Sequence, residues 1–254
     1  MRQENLVAVV IPTHKLEMNH DEEISFLQCL KVLHKYPIFM VKPSRIDVSS
    51  LEAKYSGLQF ESFEDEYFET VTAYNLLMLS QEFYQRFSKY KYILIYELDA
   101  FVFEDNLEYW CNLNYDYIGA PWPCDYPIQM PNISRIIDLA RRINSFFGKE
   151  KLSVGNSGFC LRKTKSHLLA LKIFSKQARS WNRWNINNDL FWASMRYFYP
   201  FFKVPDSRVA MQFSFEMEPE KFFELNGDRL PFGCHAWAKF SPSFWKTKFS
   251  NLEV

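Results

Sequence analysis

Residues 92–96, Tyr-Ile-Leu-Ile-Tyr, form an unbroken apolar run that stops at Glu97-Leu98-Asp99 and resumes at once as Ala100-Phe101-Val102-Phe103. A run this short, apolar at successive positions, belongs to a strand covered on both faces by other elements. Leu6 to Ile11 has the same character and ends at Pro12. Asn19, with Glu22 three residues on, carries a capping-box pattern that opens a helix through Ile24, Leu27, Leu30 and Val32. Pro37 to Val41 and Leu58 to Phe63 read as further strands, and residues 67–87 as one long helix with apolar positions at Val71, Tyr74, Leu77, Met78 and Phe83. Asp116 to Ala120 and Ser157 to Arg162 suggest two more strands, and Thr164 is placed to cap a helix through Leu168, Leu169, Leu171 and Phe174. Strands alternating with helices predict an α/β fold, a Rossmann-like αβα sandwich with a mainly parallel central sheet. Beyond residue 200 the pattern assigns no elements. No repeat, low-complexity tract or linker interrupts the chain, so one domain is expected over residues 1–254.

Composition narrows the function classes. At 48% hydrophobic and 24% charged residues, a packed core is expected and general disorder is not. Thirty Lys plus Arg balance thirty Asp plus Glu. A general nucleic-acid binder, which needs a basic excess to neutralise phosphates, is therefore not expected. No apolar stretch approaches the roughly 18 residues that span a bilayer. The opening MRQENLVAVVIPTHK carries Glu4 and no small-residue cleavage site, and reads as a strand, not a signal peptide. Cys29, Cys111, Cys124, Cys160 and Cys234 form no CxxC pair and leave one over from any pairing. Reduced thiols, a cytoplasmic location and no zinc cluster are the expectation.

In open α/β sheets, ligands bind outside the carboxyl ends of the strands. Two such ends stand out, Pro12-Thr13-His14-Lys15 and Glu97-Leu98-Asp99. On an extended backbone Glu97 and Asp99 point to the same side. Two hard oxygen donors there suit Mg²⁺ or Mn²⁺ holding a diphosphate. A strand end entering solvent would look the same. Gly155-Asn156-Ser157-Gly158 contains two of only 7 Gly and would let backbone approach a ligand, with Asn156 and Ser157 offering hydrogen bonds. An ordinary tight turn also explains it. Asp189, after Asn187 and Asn188, is a candidate general base; equally, the segment is a helix cap with an acid at its dipole. His235, in Pro231-Phe232-Gly233-Cys234-His235-Ala236-Trp237, is either a metal or diphosphate contact or a structural imidazole.

Taken in order, these segments resemble a bacterial glycosyltransferase family with a GT-A-type fold, DUF5672. The matching pieces are VVIPTHK at 9–15, YNLLMLSQEFYQRF at 74–87, YILIYELDAFVF at 92–103, YDYIGAPW at 115–122, VGNSGFCLRK at 154–163, NNDLFWA at 187–193 and PFGCHAW at 231–237. The resemblance implies a nucleotide-sugar donor held at the ends of the early strands, with Pro12, Thr13 and His14 around base and ribose. Glu97-Leu98-Asp99 takes the place of the DxD motif, making Asp99 a metal ligand and Glu97 a ribose or outer-shell contact. His235 matches the late His that completes the metal site, and Mn²⁺ or Mg²⁺ is the implied cofactor. The loop from Gly155 through Asn156 and Ser157 to Gly158 would face donor sugar or acceptor. Asp189 falls where such enzymes place the base, usually within an acidic pair; here Asn188 stands for the first acid. An inverting displacement follows if Asp189 is the base.

Trp122, Trp192 and Trp237 could stack on sugar faces. Residues 133–147 read as a basic amphipathic helix, and the aromatic and lysine-rich tail invites the same idea: peripheral contact with anionic membrane and a lipid-linked or saccharide acceptor in surface-polysaccharide assembly. A core-packed helix with a solvated basic side explains the first feature as well. Two alternatives remain open: a relative that binds nucleotide or glycan without turnover, and a metal-dependent hydrolase using Glu97, Asp99, Asp189 and His235.

Overall fold

A computed structural model describes residues 5–126, 152–181, 187–199 and 201–250. Its strands in chain order are β1 (Val7–Pro12), β2 (Ile38–Pro43), β3 (Leu58–Phe63), β4 (Tyr92–Tyr96), β5 (Phe101–Val102), β6 (Tyr117–Ile118), β7 (Ala120–Tyr126), β8 (Leu152–Gly155), β9 (Phe159–Lys163), β10 (Ser214–Phe215) and β11 (Gly233–Cys234). The main sheet runs β3-β2-β1-β4-β9-β6. The first four strands are mutually parallel, and β9 runs antiparallel between β4 and β6.

The continuous apolar runs occupy the middle of this sheet because both of their faces are covered. Alternation with period two divides their side chains. Ala8, Val10, Ile93 and Ile95 join a cluster with Phe83, Tyr84, Phe87 and Trp192 on one face. Val7, Val9, Ile11, Tyr92, Leu94 and Tyr96 join Phe26, Leu33 and Trp110 on the other. The expected α/β architecture with a mainly parallel sheet is therefore present. β1 leads to β2 on one side, while β4 adds on the other. The chain thus reverses its direction of travel between β1 and β4, and a crevice opens beyond their carboxyl ends.

Several local expectations change. The capping box at Asn19 forms as read, with both reciprocal bonds, and the helix spans His20–Val32. The expected long helix over 67–87 is instead a 3₁₀ turn (Asp65–Phe68) and two helices, Val71–Met78 and Gln81–Arg86. Thr70 and Ser80 each accept a backbone N–H three residues on, starting a new helix where apolar periodicity alone suggests continuity. Thr164 is the first residue of the helix Thr164–Ile173, not its cap, and its buried hydroxyl makes no hydrogen bond. The strand expected over 116–120 splits into β6 and the start of β7.

Beyond residue 200 the chain adds helices Ser207–Phe213, Pro219–Leu225 and Pro242–Phe249, with β10 and β11 pairing beside β5 in a small second sheet. That sheet carries its own aromatic cluster of Phe101, Phe215, Phe222, Trp237 and Trp245. Trp245 is fully buried and Phe249 stacks on Phe101, so these two tail aromatics pack into the protein. Residues 133–147 lie outside the described residues. Among the described residues no helix is long and apolar enough to cross a membrane.

Candidate functional site

The crevice holds a cleft of ≈ 460 Å³ whose walls include Pro12, Thr13, His14, Lys15, Tyr74, Glu97 and Asp99. Pro12, Thr13, His14, Glu97 and Asp99, five of the nine residues expected on the donor side, therefore share one cleft, whereas Gly155, Asn156, Ser157 and Gly158 are not among its lining residues. Thr13 is buried and its N–H continues the β1–β2 ladder to Val41 O at 2.8 Å. His14 is exposed at the rim, and Lys15 pairs with Glu22 at 2.8 Å on the cleft wall.

Beside the cleft-lining Glu97 and Asp99 stands His235, and the three each offer a ligand atom, all within 4.8 Å of one another. Two different sheets deliver them. β4 ends at Tyr96 and releases the two carboxylates; β11 ends at Cys234 and releases the imidazole. β11 is held against β5, which directly follows Asp99, so Asp99 and His235 are neighbours through strand pairing. His235 Nε2 lies 3.0 Å from Asp99 Oδ1 and 3.5 Å from Glu97 Oε2. Nδ1 lies 3.0 Å from Glu216 Oε1.

That orientation has a chemical consequence. A proton on Nδ1 donated to Glu216 leaves Nε2 as a lone pair facing two carboxylates. Nε2 is buried and directs no aligned hydrogen bond at either of them. Burial alone would lower the imidazole's pKa, but Asp99, Glu216 and Glu97 together hold it well above the ordinary value. Burial likewise pushes the Asp99 carboxyl up, and the adjacent His235 imidazole, 3.0 Å away, more than reverses it. The three groups need a cation among them, either a proton on Nε2 or a metal. Two carboxylate oxygens and an imidazole backed by a carboxylate form a donor set that fits Mg²⁺ or Mn²⁺. The distances place Glu97 inside this donor cluster, where the family resemblance implies a ribose or outer-shell contact. Tyr74 donates to the other Glu97 oxygen, Oε1, at 3.0 Å.

The glycine loop packs against both halves of the site. A Cβ on Gly158 would lie 2.0 Å from His235 Nε2, and one on Gly155 would lie 1.8 Å from the Trp122 ring. The close approaches at these two glycines are to protein side chains. Between them Asn156 adopts φ +94°, a left-handed conformation that costs energy for a non-glycine residue. It is held there because Asn156 Oδ1 accepts from the N–H groups of Gly158 (2.7 Å) and Phe159 (3.3 Å), while its carbonyl accepts from Tyr117 at 2.6 Å. Asn156 Nδ2 is buried without a partner. Ser157 lies half-buried beside it and its carbonyl accepts from the Cys160 thiol at 3.3 Å.

Asp189 sits in the first turn of the helix Asn188–Phe198. Its Oδ2 accepts from Asn156 N–H at 3.3 Å and its Oδ1 from Leu190 N–H at 2.7 Å. Burial, followed by the nearby charge of Glu216, raises its carboxyl to about 6, with the two backbone bonds and Arg162 opposing. Glu216 is thus the common neighbour of His235 and Asp189. Neither Asn187 nor Asn188 caps its own helix through its side chain; Asn188 accepts from Arg162 Nη2 at 2.9 Å instead. The three tryptophans considered as sugar platforms are all buried, with Trp192 at 0% exposure and Trp122 and Trp237 at 7%. Each belongs to one of the core clusters.

The model of the family described as protein of unknown function (DUF5672) matches residues 57–235. The chain belongs to the DUF5672 family. No curated protein matches it in sequence. Among solved structures, this DUF5672 protein is similar to an apo WbbM bifunctional glycosyltransferase, with TM-score 0.54 and 11% identity, over 95% of this chain and 47% of that one. It is also similar to the apo glycosyltransferase GlyE of Streptococcus pneumoniae TIGR4 (TM-score 0.50, 12% identity, 95% and 59% covered). A third likeness is to apo mouse xyloside xylosyltransferase 1 (TM-score 0.50, 11% identity, 90% and 96% covered). The DUF5672 chain spans about half the length of the first of these and 59% of the second. At such identities the likeness establishes a fold of the GT-A glycosyltransferase type.

Glu216, Tyr74 and Arg162 escape the sequence reading. Glu216 carries only a faint form of the signal that marks Glu97, a carboxylate directly after the two-residue strand β10. Tyr74 and Arg162 carry none, because an aromatic or a cation at such positions looks like core or surface until its partners are known.

Proposed function

We propose that this protein is a nucleotide-sugar-dependent glycosyltransferase, metal-assisted and inverting, which transfers a sugar to a hydroxyl of a saccharide or lipid-linked acceptor. The carrying observation is the Glu97–Asp99–His235 cluster, two of whose members line the cleft at the sheet's switch point. A single domain over residues 1–254, cytoplasmic and resting at the membrane face where surface polysaccharide is assembled, is the setting that agrees with this reading. Pro12, Thr13 and His14, on the cleft wall, would contact the nucleoside. Asp99 and His235, with Glu97 beside them, would hold Mn²⁺ or Mg²⁺. When bound, that ion neutralises the charge that builds on the departing nucleoside diphosphate.

The chain's own residues do the rest. Glu216 keeps the His235 ring oriented and its Nδ1 protonated. Tyr74 fixes the rotation of the Glu97 carboxylate. Asp189 takes the proton of the attacking acceptor hydroxyl; its carboxyl, raised to about 6, is mostly ionised at neutral pH yet basic enough to accept that proton. Attack from the side opposite the leaving group inverts the anomeric centre. In the loop Gly155–Gly158, half-buried Ser157 would contact sugar hydroxyls, while Asn156, whose Oδ1 holds the loop together, would keep that loop against Asp189.

Calorimetric titration with UDP, GDP, CMP and TDP, with and without Mn²⁺, tests the reading. The expected result is micromolar binding of one nucleotide that requires Mn²⁺ and is lost in Asp99→Ala. Binding to none of the four would leave no donor for the reaction and remove the proposal.

A further inference from the structure

The two halves of the site meet on one short helix. Val71–Met78 runs beside the cleft, with Thr70, Val71 and Tyr74 among the cleft-lining residues. Successive helical residues project about 100° apart, so Tyr74 and Asn75 leave this helix in different directions. Tyr74 reaches Glu97. Asn75, 7% exposed, reaches the start of the helix that carries Asp189.

There Asn75 Oδ1 accepts from the Asn188 backbone N–H at 2.8 Å and from Asn188 Nδ2 at 2.7 Å. Its own Nδ2 donates to Val71 O at 3.0 Å and approaches Asn187 Oδ1 at 3.5 Å. The Asn188 N–H is one of the orphan donors of a helix N-terminus, and Asn187, in the capping position, does not accept it. Asn75 therefore caps this helix from a different helix. From another side Arg162, fully buried and without a carboxylate in ion-pair range among the described residues, clamps Asn188 Oδ1 at 2.9 Å. The residue held by both is the one immediately before Asp189.

We propose that Asn75 is a positioning residue for the base Asp189: by capping Asn188 from the helix that also holds Glu97, it fixes the base relative to the metal-site carboxylates. This rests on the glycosyltransferase reading, in which both halves act on one substrate pair. A displacement of about 1 Å at a reacting group can cost on the order of 100-fold in rate, so a cap spanning the two halves has a kinetic consequence that a surface cap lacks.

The test compares Asn75→Leu, which removes both hydrogen-bonding functions, with Asn75→Asp, which keeps an acceptor for Asn188. Nucleoside diphosphate release from UDP-, GDP- and TDP-sugars is measured with saccharide acceptors, alongside calorimetric binding of the free nucleotides with Mn²⁺. Asn75→Leu should lower kcat at least tenfold while KM for the donor and nucleotide affinity stay within threefold. Asn75→Asp should restore most of kcat. Wild-type kcat in Asn75→Leu, or equal losses in kcat and nucleotide affinity, would overturn the proposal.

A second readout needs no turnover: the Asp189 carboxyl is titrated by carbon NMR, assigned with Asp189→Asn. Glu216, Arg162, Tyr117 and Cys160 share its surroundings. Loss of the cap in Asn75→Leu should move that titration by changing its distances to them, and an unchanged titration overturns the proposal. If Asn75→Leu does not fold, Asn75→Ser takes its place in both measurements. A wild-type protein that binds no nucleotide and transfers nothing fails the transferase reading alone, and the Asp189 titration then decides the role of Asn75.

Discussion

Asp189 and His235 show how burial decides which chemistry a side chain can perform. The Asp189 carboxyl is buried beside a strained loop residue and within the field of Glu216; burial first, and that charge second, raise it to about 6. Below that pH it is protonated and cannot accept a proton, so kcat should fall as pH drops through about 6 and level off above it; a pH–rate profile of donor turnover reads this directly. Asp189→Asn should lower kcat by roughly 10²–10⁴-fold and leave Mn²⁺-dependent nucleotide affinity within about twofold, measured by parallel kinetics and calorimetry. Glu216 acts on the imidazole from behind. Glu216→Gln removes the charge that supports His235 and should weaken Mn²⁺ binding roughly 10–100-fold, read by calorimetric titration of the metal alone. Gly158→Ala should have a comparable effect for a steric reason, since its methyl would meet the His235 ring at 2.0 Å.

At the scale of elements, helix boundaries follow from side chains that compete for backbone donors. Apolar spacing over 67–87 is compatible with one helix, yet Thr70 and Ser80 accept N–H groups and begin two. The break lets Tyr74 and Asn75 stand on a short helix beside the cleft instead of midway along a long one. The last helix, Pro242–Phe249, depends on Trp245, which is fully buried and stacks on Phe103 and Phe249. Trp245→Ala should destabilise the fold by about 3–5 kcal/mol, measured by urea denaturation. A cavity there would also loosen the small sheet in which β11 presents His235, so Mn²⁺ affinity should fall with stability.

At the scale of the whole molecule, the site exists because two sheets converge. The main sheet supplies Glu97 and Asp99 at its switch point; the small sheet supplies His235 and, directly after β10, Glu216. A cation bound among them would tie these sheets together. At Mn²⁺ about 100-fold above its Kd, the folded state should gain about 2.7 kcal/mol. For a chain of this size that raises Tm by roughly 5–10 °C. Differential scanning calorimetry with Mn²⁺ and with EDTA checks this, and Asp99→Ala should abolish the difference.

Burial leaves a periodic imprint on a sequence, and everything here that depends on periodicity could be read without coordinates. The central strands β1 and β4, the capping box at Asn19, the α/β class and the strand ends carrying Thr13, Glu97 and Asp99 all follow from local patterns of apolar and polar residues. The pairing of His235 with Asp99, the backing of His235 by Glu216, and the capping of Asn188 by Asn75 join residues 136, 19 and 113 positions apart. Their partners are chosen by which strands pair and which helices pack. The same limit applies to the tryptophans, whose aromatic character is plain in the sequence but whose burial is decided by their neighbours. Local sequence determined the elements and the chemistry at their ends; tertiary packing alone decided which ends meet, because hydrogen bonds and electrostatic fields act over a few ångströms of space, however far apart the residues lie along the chain.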